Sequence, residues 1–170
     1  MSLSNGRAYL AIPGPSVMPD AVLRAMHRAS PNIYEGELHD LTRSLIPDLQ
    51  AVAMTKSKVA IYIGNGHAAW EAALANTLSR GDTVLVLATG PFCIGWGEMA
   101  AQMGVHVETL DFGVNAPVDP ARVRAYLAAD TAHRIKAVLA VHVDTSTSVK
   151  NDIAALRAAI DAARHPAMLF

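Results

Sequence analysis

The sequence predicts an α/β fold, a mostly parallel sheet with flanking helices. Three observations predict it. Short β-type runs recur at 59–63 (VAIYI), 83–88 (TVLVLA), 105–110 (VHVETL), 136–142 (KAVLAVH) and 167–170 (AMLF). Helical patterns fill the gaps between them, near 67–79, 91–103, 119–129 and 152–164. The chain is also unusually apolar, 52% hydrophobic against 17% charged, which suits strands buried on both faces. Strands that alternate with helices imply right-handed crossovers and parallel pairing.

The elements follow in order. Residues 1–19 are punctuated by Gly6, Pro13, Gly14, Pro15 and Pro19 and read as an irregular N-terminal arm. Residues 20–170 read as the domain proper. Its first helix covers 20–29, with Val22 and Met26 on one face, and a second covers about 37–54. There Leu38, Leu41, Leu45, Leu49 and Val52 recur at helical spacing, and Pro47 is expected to kink the helix or split it in two. The strand–helix rhythm begins after Lys58. Asp119-Pro120 is a cap followed by proline at the first helical position. The last helix begins at Asn151/Asp152, carries Ile153, Leu156, Ile160 and Ala163 on one face, and stops at Arg164-His165-Pro166. A sheet finishing on Met168-Leu169-Phe170 would leave an open apolar edge, so a fragment of a longer chain is expected.

Composition narrows the function classes. The net charge is −1 and no Lys/Arg-rich run occurs, which points away from nucleic acid and from anionic membranes. No apolar run approaches a membrane span, and residues 1–7 lack the apolar core of a secretory signal. The single cysteine, Cys93, excludes an internal disulfide framework and fits a reducing compartment. A soluble, cytoplasmic domain is expected.

Parallel sheets place ligands outside the carboxyl ends of their strands, so the turns at 64–67, 89–92 and 142–148 matter most. The first, Gly64-Asn65-Gly66-His67-Ala68-Ala69, fits G-x-G-x-x-A, the dinucleotide fingerprint as letters. A dinucleotide site also needs a carboxylate for the ribose, about 20 residues further on. That position falls in Leu87-Ala88-Thr89-Gly90, which holds no acid. A simple phosphate needs less: backbone N–H groups of Gly66, His67 and Ala68 at a positive helix end. A tight corner without a ligand is the third reading. The neighbouring turns add Phe92, a flat aromatic, and the hydroxyl run Thr145-Ser146-Thr147-Ser148. A phosphate cup, an aromatic and hydroxyls at one sheet edge suit a phosphorylated planar cofactor.

At these residues the sequence resembles the class V aminotransferases, fold-type I pyridoxal-phosphate enzymes, on the serine–glyoxylate and alanine–glyoxylate branch. The resemblance rests on Ile12-Pro13-Gly14-Pro15, on Gly66-His67 followed by Trp70-Glu71-Ala72-Ala73-Leu74, and on Arg80-Gly81-Asp82. It continues through Thr89-Gly90, 132–138 (AHRIKAV), Thr145-Ser146-Thr147 and 158–163 (AAIDAA). It implies the N-terminal part of the large domain of a pyridoxal 5'-phosphate transferase. By the same resemblance Asn65, Gly66 and His67 bind the cofactor phosphate, Phe92 stacks on the pyridine ring, and Thr145 bonds its phenolic oxygen side. Pro13 and Gly14 match the arm segment near the substrate carboxylate. A homodimer is implied, as are a small amino acid donor (serine or alanine) and a 2-oxo acid acceptor (glyoxylate or pyruvate).

The chain also departs from the family's pattern. Asn65 stands where Ser or Gly is usual, Ser148 where glycine is common, and 31–35 lack a His-Arg pair that many relatives carry. The family's aspartate for the ring nitrogen, its Schiff-base lysine and its carboxylate-binding arginine fall beyond Phe170. Lys56, Lys58, Lys136 and Lys150 do not match that lysine. As they stand, the 170 residues are expected to cup a phosphate without completing a transamination.

Other chemistries fit less well. Phe92 and Ile94 give Cys93 no base or positive charge, so the thiol reads as packing. The seven histidines show no metal-ligand spacing, and no G-x-S-x-G elbow is present. A Rossmann-type NAD(P) oxidoreductase and a non-catalytic fragment stand as the alternatives.

Overall fold

The computed structural model describes Leu10, Ile12 and residues 14–170. The chain divides into two compact units, Met1–Ile63 and Gly64–Phe170.

The first unit holds two helices, α1 (Asp20–Met26) and α2 (Glu37–Val52). Pro47 lies inside α2, which runs through it as one helix, so the alternative of two separate helices is excluded. Proline removes one N–H from the helical ladder there without ending the helix. The expected strand at 59–63 does not form. A strand is completed by its neighbour, and no strand is present among the described residues of this unit. Its Ile61, Tyr62 and Ile63 are exposed instead.

The second unit is the predicted α/β sheet. It runs α3 (Gly66–Thr77), β1 (Thr83–Ala88), α4 (Pro91–Gln102), β2 (His106–Asp111), α5 (Pro120–Ala129), β3 (Ile135–Leu139), α6 (Ile153–Ala162) and β4 (Met168–Leu169). The strand order is β2-β1-β3-β4, and every pair is parallel. All six residues of β1 are buried, because it is central and covered on both faces. Leu85 and Leu87 point into a core with Val123, Leu127, Leu156 and Ile160 of α5 and α6. Val84, Val86 and Ala88 point the other way, to Leu74 of α3 and Cys93, Trp96 and Ala100 of α4. This alternation is the two-residue period of a strand between two helical layers. Gly97 allows α4 its close approach: a β-carbon there would lie 2.8 Å from Val86 Cγ2.

At the amino ends of the strands, Asp130 anchors β3. Its Oδ2 accepts from Ile135 N–H at 2.8 Å and faces His165 Nε2 at 3.3 Å. Ala167 N–H donates to His165 Nδ1, which leaves Nε2 as the protonated nitrogen. Burial alone would push the Asp130 carboxyl up, but bonds from the Ile135 and Arg134 backbone, the His165 ring and the Arg134 guanidinium outweigh it. The net effect holds Asp130 below its ordinary value. A carboxylate depressed on folding stabilises fully above its unfolded pKa, and the contribution is lost as pH falls through the folded value. Asp130→Asn should therefore melt well below the parent at neutral pH. The gap should narrow in thermal scans as pH falls below about 4. A gap that stays constant with pH would contradict this assignment.

Candidate functional site

The loops at the carboxyl ends of β1 and β3, with the amino end of α3, bring the predicted site residues of the second unit toward one edge. The α3 terminus is set by Asn65, whose side-chain oxygen accepts from the N–H groups of His67 (3.1 Å) and Ala68 (3.4 Å). Gly64 is required by space, since a β-carbon there would lie 2.7 Å from Ala68 Cβ. At Gly66 the corresponding space is open. The His67 ring lies 4.6 Å from Trp70 and 6.3 Å from Phe92, between centroids. Phe92 is half-buried in the first turn of α4 and packs edge-on to Trp70 at 6.1 Å. Trp70 stacks in turn on the buried Trp96 at 5.2 Å. One aromatic cluster therefore joins the starts of α3 and α4.

The hydroxyl loop is fastened to the same place by a residue the sequence reading passed over. Asp144 is fully buried. Its Oδ2 accepts from Phe92 N–H at 3.1 Å and its Oδ1 from Ser146 N–H at 2.9 Å. Thr147 Oγ1 donates to Thr89 O at 3.3 Å. Asn151, also buried, donates to Val141 O at 2.7 Å and to Thr89 Oγ1 at 3.2 Å, and accepts from Val118 N–H at 2.8 Å. Thr145 is exposed, next in chain to Asp144. Ser148 adopts a left-handed φ of 60°, the conformation glycine tolerates best. Of the arm residues, Gly14 lies exposed in the first unit, and Pro13 lies outside the described residues.

The donors at the α3 terminus suit a phosphate. The Asn65 side-chain oxygen accepts from His67 N–H, the contact a phosphate oxygen would make in its place, and shares Ala68 N–H with the Asn65 backbone carbonyl at 3.1 Å. Polar signals for Asp144 and Asn151 were present in the letters, but burial, which gives them their role, is not visible there.

Serine–glyoxylate aminotransferase of Methylorubrum extorquens is 40% identical over 166 residues, 97% of this chain and 41% of the relative. The chain matches the N-terminal part of class V aminotransferases. L-aspartate–glyoxylate aminotransferase of Paracoccus denitrificans is 39% identical over 167 residues, 94% of this chain and 40% of its own. Among solved structures, pyridoxamine–pyruvate aminotransferase from Mesorhizobium loti superposes with a TM-score of 0.79 at 28% identity, covering 92% of this chain and 39% of the other. No protein-family model matches. The chain thus spans about two fifths of the length of the aminotransferase relatives it matches.

The oxidoreductase alternative is not supported by these relatives. The structure removes its local basis as well. The fingerprint requires a strand leading into the glycine turn, and 59–63 forms none. Cys93 is fully buried, its Sγ 4.0 Å from Thr89 Oγ1, in the core face that α4 lays on the sheet. Among the described residues no cluster of three His, Cys, Asp or Glu could hold a metal, and no helix is long and apolar enough to cross a membrane.

Proposed function

We propose that this chain supplies the phosphate and ring side of a pyridoxal 5'-phosphate site. The enzyme would move an amino group between a small amino acid, serine or alanine, and glyoxylate or pyruvate. The observation that carries the reading is the convergence of the α3 terminus, the Phe92 ring and the Asp144-fastened hydroxyl loop. The names of the relatives support the acceptor, since two of them act with glyoxylate.

Bound there, pyridoxal phosphate supplies an electron sink for charge developing at an amino acid α-carbon. The protein's own residues would do the rest. The N–H groups of Gly66 and His67 would hold the phosphate, with the Asn65 side chain turning aside to release that of His67, while Ala68 N–H, which also donates to Asn65 O at 3.1 Å, would add a shared contact. Phe92, backed by Trp70, would offer a flat apolar face to the ring and shield it from water. Thr145 would hydrogen-bond the phenolic oxygen side. Pro13 and Gly14 would approach the substrate carboxylate. In this reading the enzyme is a cytoplasmic homodimer, and the imine-forming lysine comes from outside these 170 residues.

The test is direct. Protein expressed from its complete reading frame should be purified yellow, and its absorption should shift on addition of serine or alanine. Colourless protein that takes up no added pyridoxal phosphate would overturn the proposal.

A further inference from the structure

The Asp144 carboxylate is a charged side chain enclosed within the candidate site. It is fully buried. A buried charge is tolerated only when its oxygens are satisfied, and here each takes a backbone N–H from a different segment. Oδ2 takes Phe92, in the first turn of α4; Oδ1 takes Ser146, in the hydroxyl loop. The loop is closed behind it, because Ser148 N–H donates to Asp144 O at 2.8 Å and Asp144 N–H to Val149 O at 3.1 Å. On the far side Asp144 packs directly on Gly90, whose missing side chain makes the room.

We propose that Asp144 is a positioning residue that fixes the Phe92 ring and the Thr145 hydroxyl relative to each other before any cofactor arrives. The inference rests on the pyridoxal-phosphate reading above. The carboxylate is suited to the task because both of its ends accept hydrogen bonds. A carboxamide of the same shape has one donor end, which would face an N–H and repel it. Asp144→Asn therefore keeps the volume and releases one of the two segments. Asp144 also consumes the Phe92 N–H, so the start of α4 offers that donor to the sheet's own loop and not to an anion.

The experiment uses protein from the complete reading frame, with pyridoxal phosphate as the probe. In Asp144→Asn the affinity should fall about tenfold, as for the loss of one charge-assisted hydrogen bond, and the absorption maximum of the bound cofactor should move. Thr147→Val removes different bonds of the same loop, the donation to Thr89 O just beyond β1 and the acceptance from Val149 N–H, and should leave the absorption maximum in place. An unchanged spectrum and affinity in Asp144→Asn, or the same spectral shift in Thr147→Val, overturns the positioning role. Should Asp144→Asn not fold, hydrogen exchange of the parent decides. The Phe92 and Ser146 amides should be equally protected with and without pyridoxal phosphate; protection only with it overturns the inference. A parent that binds no pyridoxal phosphate fails the functional reading itself, which is a different result.

Discussion

Gly90→Ala is expected to destabilise the protein by about 3 kcal/mol, the upper range for forcing a methyl group into a filled site. The added carbon would lie 2.5 Å from Asp144 Cγ and 3.0 Å from its Oδ1, with Oδ2 closer still. Space and not conformation is the constraint, since φ at Gly90 is 168°, extended backbone open to any residue. The Asp144 side chain cannot swing away cheaply, because moving its buried carboxylate would break its hydrogen bonds to the Phe92 and Ser146 N–H groups. The strain would fall on the junction of β1 and α4, where the aromatic face of the candidate site begins. Gly95→Ala is the control: it lies in α4, a β-carbon there meets nothing within 4 Å, and it should stabilise by up to about 1 kcal/mol. Urea denaturation of both variants checks the pair. Gly90→Ala within experimental error of the parent would mean that Asp144 is not held as described.

The sheet was legible because its signals are local and repeat. Alternating β-type runs and helical patterns place β1 to β4 and α3 to α6 within a few residues of where they stand. Asp119 and Asp152 behave as the caps their positions suggest, accepting from Ala121 and Ala155 N–H. The strand expected at 59–63 failed for the opposite reason: its residues suit a strand, but pairing is a property of a second segment. The site divides in the same way. Residue type and spacing were enough to bring out His67 and Phe92, the family resemblance added Asn65, and the three gather at one edge. Asn65 proved to be a cap on its own helix as well as a candidate ligand neighbour, a double use that letters do not separate. Asp144 read as one more polar residue in a hydroxyl-rich loop. Its importance comes from complete burial and from a partner 52 positions earlier in the chain, and neither has a local signature.

Asn151→Ala should cost about 3 kcal/mol, because the side chain serves three segments at once. Its amide nitrogen donates to Val141 O just beyond β3 and to Thr89 Oγ1 just beyond β1, while its oxygen accepts from Val118 N–H before α5. All of this happens with the residue 1% exposed, so water does not replace what the truncation removes. The orphaned Val118 N–H and Val141 O account for most of the loss, at about 1–3 kcal/mol for each buried unsatisfied group. Asn151→Asp separates the two halves of the role. An ionised Asp can still accept from Val118 N–H, but its second oxygen confronts Val141 O, two acceptors at hydrogen-bond distance. Burial disfavours the charged form, so the introduced carboxyl should titrate above the ordinary carboxylate range. Once protonated it can donate to Val141 O and restore much of the Asn pattern. Denaturant midpoints should therefore place Asn151→Asp near Asn151→Ala at pH 8 and measurably closer to the parent at pH 5. If Asn151→Asp equals the parent at pH 8, the donor half carries no weight, and Asn151 acts only through Val118.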